Sequence, residues 1–374
     1  MGVTVAATGR EGLRTWSAVA ALACALGLAA AIGGCGRALA PGATTTSVQA
    51  FFYPWYGTPA VDGHWIHWEQ NGHSPPDDIA SAFYPASGPY SDGDAATLDR
   101  QMRWMAEAGI GVAIVSWWGP GSLEDARMPA VLRAAAANGV RVAFHIEPYA
   151  GRSPSSVEGD IAYIYTRYGS SPAFFRVSRA TTFGPSVAPR GVFYVFDVLS
   201  AGPLSQWRAV MDDLHGGPDD AFVLSQRVST NPITDGHFDG VYTYDALNAD
   251  PASFIAYAPV VASAGGLFAP SVGPGFDDRR AVAGSTRYAS RSDGQRYDVF
   301  WRDAIASGAP WVTVTSFNEW HEGTQIEPAT SKAIAGFTYS DYLGAYGASE
   351  TDAPMIYLER TRYWVDTFLD RPAP

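Results

Sequence analysis

Eight short runs rich in β-branched and aromatic residues recur along the chain, at 48–53, 112–117, 140–146, 191–196, 221–225, 240–244, 267–271 and 311–317. Most are apolar at consecutive rather than alternate positions, the pattern of strands covered on both faces. Helical stretches lie between several of them: 95–108 before Gly109, 128–137 before Asn138-Gly139, then 156–168, 204–214 and 297–307. Eight strands alternating with helices over about 300 residues predict an α/β fold, a (β/α)8 TIM barrel in one domain at 48–374. An open doubly wound sheet competes, but that fold places a Gly-rich phosphate loop after its first strand. None follows Tyr53. No repeat of 20–50 residues points to a solenoid or propeller.

The segment before the first strand reads as an address. Arg10 and Arg14 precede an apolar run at 18–32, too short for a membrane span and right for a signal sequence. It ends Ile32-Gly33-Gly34-Cys35, which resembles a bacterial lipobox. This predicts a lipoprotein-type signal peptide at 1–34, lipidation of Cys35 and a tether at 35–47. The expected location is the bacterial cell surface, with the lipid as the one membrane contact. The rival exit, Ala38-Leu39-Ala40, would give a secreted protein, but Pro41 after that cut should hinder a peptidase. Cys24 lies in the apolar run, so the mature chain keeps one cysteine. A disulfide and a cysteine-ligated zinc are thereby excluded.

Composition narrows the partner. The net charge of −12 argues against nucleic acid, which calls for a basic surface. Hydrophobic residues at 47% exclude disorder and allow a large core. The 12 Trp and 19 Tyr exceed what a core needs and suit a site that stacks on sugars.

A barrel enzyme builds its site at the C-terminal ends of its strands. Those ends carry Tyr53-Pro54-Trp55-Tyr56, Ser116-Trp117-Trp118, His145-Ile146-Glu147-Pro148-Tyr149, Asp197, Gln226, Tyr242-Thr243-Tyr244, Ser271 and Asn318-Glu319-Trp320-His321-Glu322. Carboxylates on an aromatic floor are glycosidase chemistry. Glu319, Glu322 and Glu327 fall within nine residues after the eighth strand. A single helical turn would put Glu319 and Glu322 on one side. Two like charges so close separate their ionisations into one base and one acid. A solvated loop with capping glutamates is the bland alternative, and it accounts for neither the position nor the flanking Trp320 and His321. His145 and Glu147 are two apart on a strand and so face one way; a histidine packed at the rim is the alternative there. His64, His67, His237 and the others show no metal-ligand spacing, and no metal or cofactor is expected.

The chain resembles glycoside hydrolase family 99, the endo-α-mannosidases and bacterial endo-α-1,2-mannanases, over nearly the whole mature region. The resemblance rests on Phe52-Tyr53-Pro54-Trp55-Tyr56-Gly57, Asp62-Gly63-His64-Trp65-Ile66-His67-Trp68 and His145-Ile146-Glu147-Pro148-Tyr149-Ala150-Gly151-Arg152. It continues through Phe238-Asp239-Gly240-Val241-Tyr242-Thr243-Tyr244, Pro270-Ser271-Val272-Gly273-Pro274-Gly275 and 316–327. It implies a retaining, metal-independent endo-hydrolase acting on a mannose-containing glycan through a 1,2-anhydro sugar. Glu319 would be the base at the 2-hydroxyl, Glu322 the acid/base, and Glu147 a holder of substrate hydroxyls. Tyr53 or Tyr56, and Tyr242 or Tyr244, would line the same subsite, with Trp117, His145, Asn318, Trp320 and His321 as further substrate contacts. Trp118 stands where animal members tend to carry Tyr, which favours mannose over a glucose cap at the next sugar. Asp245 departs from the family pattern, and the stretch between Trp68 and Asp94 is short. The expected assembly is a monomer. The alternatives are a same-fold hydrolase of another envelope polysaccharide and a non-catalytic carbohydrate-binding lipoprotein.

Overall fold

The structure, a computed structural model, describes residues 44–227 and 229–371. The leader, Cys35 and most of the expected tether lie outside the described residues. Eight parallel strands form the barrel: β1 (Thr45–Phe52), β2 (Ile110–Trp117), β3 (Arg141–Ile146), β4 (Arg190–Val195), β5 (Ala221–Gln226), β6 (Gly240–Tyr242), β7 (Leu267–Ala269 and Ser271–Val272) and β8 (Val312–Val314). β7 comes in two pieces because Pro270 has no N–H to give to the ladder. Its carbonyl still accepts from Thr313 at 2.9 Å. The second piece of β7 pairs with β8, and β8 pairs with β1 through Ala50 and Val314, which closes the ring.

Each strand sends alternate side chains to opposite faces. Val112 and Ile114 of β2 join Phe51, Tyr194, Phe222 and Leu224 in the barrel interior. Ala113, Val115 and Trp117 belong to the larger core beneath the helices. Both sets are buried, and the sequence is therefore apolar at consecutive positions.

The surrounding helices are α1 (Ala95–Glu107), α2 (Leu123–Ala137), α3 (Pro154–Tyr168), α4 (Leu204–Leu214), α5 (Ser253–Ser263), α6 (Gln295–Ala306) and α7 (Ile356–Leu369). A single turn, Asn231–Thr234, fills the place between β5 and β6. α2 starts five residues before its expected start at 128. Ser122 caps it by accepting from the Asp125 N–H, so the helix is under way before Pro129. Pro129 cannot bond the Asp125 carbonyl, and the Tyr168 hydroxyl takes that acceptor at 3.0 Å. α5 and α7 are helices that the sequence pattern does not announce. α5 carries Pro259 and no side-chain cap, so local signals argue against it. β1 begins at Thr45, three residues before the expected boundary at 48, and the β8 ladder spans only part of 311–317.

Three segments rise over the C-terminal end of the barrel. They are the β1–α1 connection, the hairpin of Phe276–Asp277 and Tyr288–Ala289, and the loop after β8. Ala329–Thr330 pairs antiparallel with Tyr84–Pro85, which ties the first of these to the last.

Candidate active site

The loop after β8 is closed by its own backbone. Ser316 N–H donates to Thr324 O, Thr324 N–H to Glu319 O, and Glu327 N–H to Phe317 O. Asn318 clamps it to β1, accepting from the Tyr53 N–H at 2.8 Å and donating to the Tyr53 carbonyl at 3.0 Å. This holds Glu319 at 3% exposure, its N–H bonded to Ser316 Oγ at 2.8 Å. One carboxylate oxygen of Glu319 accepts the backbone N–H of Glu322, three residues on. Glu322 is partly exposed, and its carbonyl accepts from Asp277 N–H of the hairpin at 2.6 Å. Gly323 then turns with φ of +61°, where an added Cβ would come within 3.1 Å of the Asp277 backbone.

Burial raises both carboxyls. Glu319 stands well above the ordinary glutamate value, lifted further by the charge of Glu322. Glu322 is pushed up to about 7 by burial, with Asp278, Glu147 and Asp245 adding to the rise and Arg287 opposing it. Two carboxyls so coupled ionise in separate steps, and the pair keeps one proton into the neutral range. Backbone N–H groups of His321 and Glu322 favour the charge on Glu319.

Facing this loop, Glu147 follows β3 directly and is 6% exposed. Ser116 donates to it at 2.9 Å, and His145 Nδ1 lies 2.9 Å from the same oxygen. Trp118, partly exposed at the rim, donates to Ser116 Oγ at 3.2 Å. The phenols of Tyr53 and Tyr244 bond each other across the floor. Burial raises both, and the charges of Glu147, Glu319 and Glu322 raise them further. Three carboxyls and two phenols thus share one electrostatic environment.

His321 Nε2 is 2.9 Å from the His67 carbonyl, to which it donates. Its Nδ1 stands 3.8 Å from Glu319. Burial lowers His321 to about 3 and His67 to about 4, so both rings are neutral at working pH. Trp55 stacks on His67 with centroids 4.7 Å apart, extending the aromatic floor.

Within the two open tyrosine pairs, Tyr53 and Tyr244 are those whose phenols meet, and the charges of Glu147, Glu319 and Glu322 all act on both. Tyr56 is fully buried, stacked on Trp68 at 4.1 Å, and its hydroxyl accepts the Trp320 N–H. Tyr242 is fully buried in the barrel, bonded to His145 Nε2 at 2.7 Å. Three further expected substrate contacts are turned to other partners. Trp117 points outward and donates to Asp125 at 3.0 Å, because strand parity gives Ser116 the barrel face. Asn318 spends its amide on Tyr53. Trp320 donates its ring N–H to Tyr90 and Glu327, each at 3.0 Å. Asn318, Trp320 and Tyr56 hold the loop through these bonds, and Trp117 ties β2 to α2.

Sequence reasoning missed the hairpin's contribution. Asp278 is 1% exposed, accepts from Ser285 Oγ at 2.5 Å and pairs with Arg287 beside Glu322. The only signal was a run of charges, Asp277-Asp278-Arg279-Arg280, which reads as a solvated turn. Among the described residues no group of three or more His, Cys, Asp or Glu is placed to hold a metal ion.

A family model, glycosyl hydrolase family 99, matches residues 44–370. The chain is 34% identical over 360 residues to a human glycoprotein endo-alpha-1,2-mannosidase-like protein, covering 87% of this chain and 76% of that one. It is 33% identical over 357 residues to the rat glycoprotein endo-alpha-1,2-mannosidase, covering 86% and 74%. The GH99 endo-alpha-mannosidase of Bacteroides thetaiotaomicron superposes with a TM-score of 0.77 at 34% identity, covering 87% of this chain and 98% of that one.

Proposed function

The chain belongs to glycosyl hydrolase family 99, and from that membership we propose that it is a retaining, endo-acting hydrolase of internal α-1,2-mannosidic linkages. The observation that carries the chemistry is the Glu319–Glu322 pair after β8, joined by the Glu322 N–H on the Glu319 carboxylate, with both carboxyls raised by burial so that they ionise in separate steps. Glu319 takes the proton of the mannose 2-hydroxyl. The freed oxygen closes on C1 as the bond to the leaving oxygen breaks, giving a 1,2-anhydro sugar, and Glu322 protonates the leaving group. Glu322 then takes a proton from water, whose oxygen attacks C1. The C1–O2 bond opens and O2 recovers its proton from Glu319. Two inversions at C1 give net retention, with no carboxylate attached to C1.

The support for this reading is local. Glu147, Tyr53 and Tyr244 offer hydrogen-bonding groups around the pair, and Trp118 offers an apolar edge at the rim. An indole there has no partner for the equatorial 2-hydroxyl of a glucose cap, which favours mannan over a glucosylated glycan. Lipidation at Cys35 would hold the enzyme at the bacterial surface, acting as a monomer on a mannose-containing oligo- or polysaccharide.

The test is a digest of α-1,2-branched mannan with residues 36–374, read by mass spectrometry beside Glu322→Gln. Wild type should release fragments two or more sugars long, and the variant should lose about 10²- to 10⁴-fold in kcat while still binding oligosaccharide in a calorimeter. Folded wild type that releases nothing would move the substrate to another envelope polysaccharide.

A further inference from the structure

Glu327 is the third carboxylate of the sequence cluster, and the chemistry above leaves it without a task. It sits on the return limb of the catalytic loop at 1% exposure. Three donors converge on it: Tyr90 O–H at 2.6 Å, Trp320 Nε1–H at 3.0 Å and Gln101 Nε2–H at 3.1 Å. Tyr90 and Trp320 share one oxygen, and Gln101 takes the other. Trp320 lies between Glu319 and Glu322 in the chain, and its own N–H is held by the Tyr56 hydroxyl at 3.0 Å. The residue joining the two reacting carboxyls is therefore gripped at backbone and ring, and the ring grip ends on Glu327.

We propose that Glu327 is a positioning residue: through the Trp320 indole it sets the mutual orientation of Glu319 and Glu322. This rests on the reaction assigned above to that pair. The two carboxyl oxygens at 327 suit three neighbours that all arrive as donors. A leucine there keeps much of the shape and removes both acceptors. The Trp320 indole N–H is then left with Tyr90 alone, the ring shifts, and its backbone carries Glu319 and Glu322 with it. A displacement of about 1 Å in a reacting group is worth about 10²-fold in rate.

The experiment compares Glu327→Leu, Trp320→Phe and the double variant on the mannan digest. Trp320→Phe keeps an aromatic ring and removes the N–H. Each single variant should lower kcat by about 10²-fold, with KM and calorimetric affinity within about twofold. The double variant should be no worse than the poorer single one, since both cut the same link. Multiplying losses, or a loss in KM rather than kcat, would overturn the proposal. So would a folded Trp320→Phe protein with wild-type kcat, even if Glu327→Leu fails to fold. A crystal structure of Trp320→Phe decides the matter without any substrate: displaced Glu319 and Glu322 carboxyls support the proposal, and carboxyls left in place refute it. A wild type inactive on mannan counts against the assigned reaction, and the carboxyl positions in that crystal still decide the role of Glu327.

Discussion

At the scale of single residues, the site places charge where the fold disfavours it. Glu322 ionises at about 7 in the folded chain against 4.5 for an ordinary glutamate. The stability this group supplies is therefore full below 4.5 and lost as the pH rises through 7. Glu322→Gln removes the charge and not the shape. Its melting temperature should exceed wild type by about 2–4 °C at pH 8 and by less at pH 5. Scanning calorimetry at both values checks this, and a gap that narrows as the pH rises contradicts it. Asp278 tests the same ionisation from outside. Its charge helps to hold Glu322 up, so Asp278→Asn lets Glu322 release its proton sooner and leaves Arg287 uncompensated beside it. Both changes act in one direction. The alkaline limb of kcat/KM should move to lower pH, and an unmoved or raised limb would contradict the assignment of that limb to Glu322.

At the scale of elements, local signals place most pieces and miss those whose stability comes from contact. α1 is readable from its length and the Gly109 that follows it, and the structure adds its N-cap, Asp94, which accepts from the N–H groups of Ala96 and Thr97. Asp94→Ala should cost about 1 kcal/mol. The melting temperature should fall by about 2–4 °C with kcat unchanged, since the cap lies outside the reacting groups. A loss of kcat without a loss of stability would contradict this. The start of α2 was hidden by Pro129, whose missing hydrogen bond is made good by Tyr168 from α3, 43 residues from the Asp125 carbonyl it bonds. α5 carries Pro259 and packs Phe254, Ala258 and Val261 against the barrel, so its tertiary contacts outweigh a poor local sequence. Strand boundaries shifted for a related reason. β6 leaves the ladder at Tyr242, and Tyr244 takes a φ of +64° that turns its ring to the floor.

At the scale of the whole molecule, a net charge of −12 excludes some partners without attracting others. A neutral glycan feels no steering from that field. The value of kcat/KM on mannan should accordingly stay within about twofold between 10 mM and 500 mM salt. A fall of tenfold or more would show that an anionic or cationic group of the substrate is being recognised.

The sequence by itself determined where the strands lie, because a strand buried on both faces is apolar at most consecutive positions. It also determined which polar residues stand at the strand ends, and so brought Glu147, Glu319 and Glu322 to one end of the barrel. Only the tertiary structure decided which neighbours of those residues stand beside the carboxyls. Tyr53 and Tyr56 are both buried aromatics after β1, and Trp117 and Trp118 are adjacent, yet one of each pair serves the floor and the other the scaffold. That choice depends on partners far away in the chain: Asn318 is 265 residues from Tyr53, and Glu327 is 237 from Tyr90. Burial and hydrogen bonding are properties of what surrounds a side chain. A linear pattern fixes the direction in which a side chain leaves its own strand, and closure of the barrel supplies what it meets.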